Sequence, residues 1–193
     1  MSKKKHPVLS HGKSSIWKRP SSLVIYFTLY SIFGWLYEVF LEVVVYRWGF
    51  HNRGVLLGPY CPVYGFGALA FLLLVYPLIQ TRPFWKRLKW IPLVFLLCML
   101  ITTGIELGTS YLLEYLTGSW PWQTYAAYKI HFQARIALSP SLRFGLGGVL
   151  FLYILQPVFE KICSLLRSDT RRKTALALIC LFTADLIYTF FIK

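Results

Sequence analysis

Glu38, Glu42, Glu106, Glu114 and Asp185, five of the chain's seven acidic residues, lie inside apolar runs long enough to cross a bilayer. Carboxylates in such surroundings bind a cation, carry a proton or neutralise a fixed positive charge. A charged side chain at the bilayer centre costs roughly 2.5–3.5 kcal/mol on insertion scales, so five facing lipid would cost on the order of 12–17 kcal/mol. They are therefore expected to face one another, a polar cavity or cationic partners.

Their spacing groups them. Ser31, Trp35, Glu38 and Glu42 recur at intervals of three or four and share one helix face. Thr102, Glu106, Ser110 and Glu114 recur every four residues and form a second polar stripe at similar depth. Opposite Glu106, Gly104 and Gly108 make a G-x-x-x-G pattern that lets a neighbouring helix approach. That helix is accordingly expected to be central. Asp185, with Tyr188 and Thr189 one turn on, is expected to join the same interior. Arg47, Arg53, Lys129, Arg135 and Arg143 are the cations within reach, and Arg suits a carboxylate best because its planar fork meets both oxygens. Such a cluster either staples helices together or lines a polar vestibule in the outer half of the membrane.

The elements that must hold these groups are transmembrane helices. The 193 residues are 56% hydrophobic and 15% charged, outside the soluble average. The expected fold class is all-α: a polytopic membrane protein of about five helices, near 22–46, 60–79, 91–116, 142–162 and 174–192, each of the length that crosses ~30 Å of hydrocarbon. Residues 1–21 read as a basic cytosolic tail and 22–193 as a single transmembrane domain. The tail carries 6 Lys and Arg, the connection at 80–90 carries 4 and that at 161–173 carries 5, against 6 on the opposite side. This bias puts the N-terminus in the cytosol and the C-terminus outside. Between residues 50 and 65, Gly54, Gly58, Pro59, Pro62 and Gly65 crowd a membrane-proximal stretch. It is read as a re-entrant segment, or else as an ordinary turn with Pro59 opening the second helix. Gly145, Gly147 and Gly148 suit close packing of the fourth helix, and Pro157 should bend it.

Several chemistries lack their residues. The net charge of +14 gathers beside apolar runs, where anionic headgroups lie, and not in a nucleic-acid motif. Four scattered cysteines make no disulfide framework, and His51 and His131 fit no ligand spacing, so no metal and no cofactor is expected. Hydrolase elbow and P-loop are both missing, so the chain does not hydrolyse ATP by itself.

The motifs Gly34-Trp35-x-x-Glu38 and Asn52-Arg53-Gly54-x-x-x-Gly58-Pro59-x-Cys61-Pro62-x-Tyr64-Gly65-x-Gly67 resemble the bacterial membrane-protein family labelled putative ABC-transporter type IV. The likeness continues through Glu106 and Leu113-Glu114 into the aromatic loop before Arg135-Ile136. Two positions depart from the family pattern. Trp122-Gln123-Thr124-Tyr125 stands where the family resembles Trp-Asp-Tyr, and Ala134 replaces a glycine. The resemblance implies a multi-pass protein of the bacterial plasma membrane, a transporter or permease component. Its functional cluster would comprise Trp35, Glu38, Glu42, Asn52, Arg53, Tyr64, Glu106, Glu114, Arg135 and Asp185. Membrane lipids surround such a chain, and a homodimer or a separate ATP-binding subunit would complete it. The competing readings are an intramembrane enzyme acting on lipid or cell-envelope precursors, and a structural or regulatory subunit.

Overall fold

The structure, a computed structural model, describes residues 19–192 except Arg53 and Val55, and leaves aside the side chains of Thr117 and Phe190. The basic tail expected at 1–21 thus falls, up to residue 18, outside the described residues. The chain forms two compact units. One, here the terminal unit, combines Met1–Pro62 with Phe159–Lys193, and the other, the central unit, is Val63–Val158.

In the terminal unit, helix α1 (Pro20–Phe40) opens on a proline, which suits a first helical position because its missing N–H would have no partner there. It continues as a π-helical turn, Leu41–Val45, that carries Glu42. Thr28 and Ser31 sit in an otherwise apolar helix and donate their hydroxyls to the carbonyls of Val24 and Phe27, so their polarity is met within α1 itself. The last helix, labelled α7 below, is Ser168–Ile187, prolonged by a π turn at Tyr188–Ile192. α1 packs along it, with Phe27 and Phe182 edge to face at 5.4 Å between ring centroids. Tyr30 meets Phe159 in the same way at 4.9 Å. These contacts fall in the range where aromatic quadrupoles attract.

The central unit runs through α2 (Pro62–Leu74, its proline belonging to the terminal unit), the short basic α3 (Phe84–Leu88), α4 (Ile91–Thr117) and α5 (Leu138–Leu150). A π turn, Phe151–Leu155, joins α5 to α6 (Gln156–Leu165), which continues into the terminal unit. Pro157 is the second residue after that turn, and the widened register is how the helix absorbs a residue without an N–H. Arg87 ties down the connection before α4, donating to the carbonyls of Arg82 and Gln80, while Arg82 lies 4.1 Å over the Trp90 ring. Gly118 ends α4 in the left-handed conformation at φ 77°, returning its N–H to the Glu114 carbonyl.

α4 packs on α5 through glycines of α5. A Cβ at Gly145 would stand 2.7 Å from the Phe95 ring, and one at Gly148 would overlap Cys98. Of the three glycines predicted to allow close packing, Gly145 and Gly148 do so, whereas a Cβ at Gly147 would meet nothing within 4 Å. Gly104 and Gly108 behave otherwise: a Cβ at either would meet nothing within 4 Å. The expectation that this second face of α4 packs a helix is corrected by the structure, since the pattern requires small residues at an interface but does not supply one.

Among the described residues three helices are long and apolar enough to cross a membrane: Pro20–Val45, Ile91–Leu116 and Leu138–Leu165. At ~1.5 Å per residue, 26 residues reach about 39 Å, ample for a ~30 Å layer with tilt. The second expected run yields a shorter apolar helix, Pro62–Leu78, in which Pro62 and not Pro59 takes the opening position. The run expected at 174–192 falls on α7 and its π turn, whose first turns hold Asp169, Arg171, Arg172 and Lys173. Among the described residues strand is confined to two antiparallel pairs, His131 with Ala137 and Phe132 with Ile136. The protein is an all-α membrane protein.

Gly148→Ala should lower the melting temperature in detergent, at a cost of about 1–3 kcal/mol, because α5 cannot move off Cys98 without losing the seam. Gly104→Ala should be neutral or gain up to ~1 kcal/mol through helix propensity. A melt in which the two variants behave alike would contradict the packing described.

Candidate functional site: intramembrane carboxylates and the aromatic loop

In the terminal unit, Asp185 organises the non-helical stretch before Pro62. Leu57 N–H and Gly58 N–H donate to its two carboxylate oxygens at 3.0 Å each. The hydroxyls of Tyr60 and Thr189 donate as well, the latter at 3.1 Å. Four neutral donors thus satisfy a carboxylate for which the sequence suggested a cation. Gly58 is required here because a side chain would occupy the space of the Tyr60 ring. Tyr60 itself is buried and packs on Phe182 at 4.4 Å. Gly54 has φ 107°, a conformation open to glycine, with the Tyr60 carbonyl 3.2 Å from where a Cβ would stand.

The same stretch is anchored to α1. Cys61 N–H donates to the Ser31 carbonyl at 2.9 Å, and Trp35 Nε1 donates to Asn52 Oδ1 at 2.8 Å. Asn52 in turn donates to the carbonyls of Leu56 and Leu57. Glu42 is buried, and its Oε1 lies 2.9 Å from Nδ1 of the exposed His51. Glu38 sits half-buried on the last turn of α1. Arg53 lies outside the described residues.

In the central unit, Arg135 is the hub. Arg135 is 6% exposed, and its guanidinium lies between the rings of Tyr111 and Trp120, 4.0 Å from each centroid. One nitrogen pairs with Glu114 and another reaches Ser110 Oγ at 3.4 Å. Stacking on two aromatic faces while pairing with a carboxylate is a geometry that Arg meets and Lys does not. The hairpin carrying Arg135 turns through Gln133 and Ala134, with φ 50° and 55°, and closes with Arg135 N–H donating to the Phe132 carbonyl. Two consecutive left-handed residues are the signature of a type I′ turn. Trp120 and Trp122 clamp it, their indole N–H groups donating to the carbonyls of Ala134 and Arg135 at 3.0 and 2.8 Å.

Glu106, two turns earlier on α4, accepts the Tyr125 hydroxyl at 2.8 Å through Oε1, while its buried Oε2 has no hydrogen-bond partner. Burial, followed by the charge of Glu106, holds the Tyr125 phenol well above its usual range, so it remains a donor across physiological pH. Tyr64 lies half-buried on the first turn of α2. The ten predicted residues thus divide between the units: Trp35, Glu38, Glu42, Asn52 and Asp185 in the terminal one, Tyr64, Glu106, Glu114 and Arg135 in the central one, with Arg53 undescribed. Among the described residues no group of three or more His, Cys, Asp or Glu is placed to hold a metal. Sequence reasoning did not single out Tyr60, Tyr111, Trp120 or Tyr125. The signal that could have found Trp120 and Tyr125 is the aromatic density of the connection after α4.

The model of the family described as putative ABC-transporter type IV matches residues 25–190, and the chain belongs to that family. No curated protein and no solved structure matches the chain. Family and apolar helices together make it a membrane protein associated with ABC-type transport.

Ala134→Gly should stabilise the protein by about 1 kcal/mol, seen as a higher melting temperature, since a left-handed φ costs a non-glycine residue roughly that much. Asp185→Asn should destabilise by about 1–3 kcal/mol, because its amide turns a donor toward donors. Faster limited proteolysis between residues 51 and 61 would report the loosened segment, and an unchanged cleavage rate would contradict the anchoring role.

Proposed function

We propose that the chain is the membrane-embedded component of an ABC-type transport system, and that Glu106 is the group within its carboxylate–arginine cluster that takes up a proton or a cationic moiety. The observation that carries the reading is the asymmetry of its carboxylate. One oxygen holds the Tyr125 hydroxyl, and the other is buried without a partner. An intramembrane ionisable group is functional by default, and one with acceptor capacity to spare is the natural place for a mobile cation. Glu114 and Asp185, by contrast, are occupied by Arg135 and by four donors. Glu38 and Glu42 are the intramembrane carboxylates of α1 and its π turn in the terminal unit, and in this reading the N-terminus is cytosolic. A separate ATP-binding subunit supplies the energy, because the chain has no P-loop.

The caged Arg135 favours a second role for one pair. Held between two rings and a carboxylate, it fixes the loop that presents Tyr125 to Glu106, so Glu114 and Arg135 act as a structural clasp.

In proteoliposomes containing the full chain, Glu106→Gln should reduce proton movement, read by an entrapped pH dye, at least about tenfold, the size of one lost charge-assisted interaction. Glu160→Gln should leave it unchanged. If Glu38→Gln and Glu106→Gln both left flux and proton coupling intact, the proposal would be wrong.

A further inference from the structure

We infer that the groove between the hairpin and the start of α5 binds an anionic phospholipid, its acyl chain along Ile130, Leu138 and Leu142 and its headgroup at Lys129. The groove is lined by Tyr128, Lys129, Ile130, Leu138, Ser139 and Leu142 and has a volume of about 290 Å³. That is about ten water molecules at ~30 Å³ each, room for a stretch of one acyl chain and not for a whole lipid. Its lips are preformed. Leu138 N–H donates to the Ile130 carbonyl at 3.0 Å, continuing the hairpin ladder past the pairing of His131 with Ala137.

Charge selects the occupant. The lining holds a lysine and the hydroxyls of Tyr128 and Ser139 but no carboxylate, and Arg143 stands one turn from Ser139 on α5. An apolar trough whose lining includes a lysine, at the start of a helix that crosses the bilayer, matches an amphiphile with a negative head. A neutral lipid would fill the trough without answering Lys129. A soluble anion would answer Lys129 and leave the apolar lips wet. This inference stands apart from the role proposed for Glu106, which lies outside the lining.

The test is native mass spectrometry of the full chain released from nanodiscs of phosphatidylcholine doped with phosphatidylglycerol. Retained phosphatidylglycerol should exceed its share of the bilayer, and Lys129→Gln should lower that enrichment about fivefold, the effect of one cation near an anionic surface. Leu142→Trp, which fills the trough at an exposed position, should abolish it while the melting temperature holds. Lys161→Gln should change nothing. Glycerol phosphate, carrying the charge without the chain, should not compete. Retention in proportion to bilayer composition, equal retention in Leu142→Trp, or effective competition by glycerol phosphate would each overturn the inference.

Discussion

A carboxylate inside an apolar layer must find its donors within the protein, because there is no water to supply them, and this constraint shapes both units. Asp185 meets it with two backbone N–H groups and two hydroxyls, and in doing so fixes a segment that no helix or strand would otherwise hold. Glu114 meets it with Arg135, and Arg135 carries the hairpin with it. In each case a charged or polar side chain in a helix decides the course of backbone outside the helix. The irregular segments are therefore consequences of the acids as much as their surroundings.

The helices show the complementary economy of apolar packing. Where α4 and α5 meet, glycines remove the side chains that would hold them apart, and Phe95 and Cys98 fill the space. The π turns at Leu41–Val45, Phe151–Leu155 and Tyr188–Ile192 change the rotational register of long helices without ending them. Such turns recur where a side chain must be re-aimed, and here two of them adjoin acids of the terminal unit, Glu42 within one and Asp185 just before another.

The aromatic residues of the central unit act as polar-tipped struts. Trp120, Trp122 and Tyr125 each place an apolar ring at the end of the helices and send one N–H or O–H inward, to two carbonyls and a carboxylate. A neutral phenol thus reaches Glu106 from this loop. The loop also holds Ala134 in a left-handed conformation. The two indoles and the Arg135 cage over-determine the turn, so the strain of one left-handed alanine is carried by its neighbours.

Composition and periodicity by themselves determined the class of this protein, because ~20 apolar residues in a row have few stable fates and a four-residue interval fixes which side chains share a helix face. On that basis the all-α membrane fold, the polar stripe from Thr102 to Glu114 and the close packing at Gly145 and Gly148 were legible. The partner of each acid was not. One another, a polar cavity or cations, Arg foremost among them, were the expected surroundings, yet Asp185 took backbone N–H groups 127 and more residues away, and Glu106 took a tyrosine from a loop. Nor could the G-x-x-x-G pattern reveal that its face is open. These choices depend on which distant segments reach a given point in space. Only the tertiary structure decides that, because a hydrogen bond is specified by distance and direction between two groups and neither is encoded in the residue types alone.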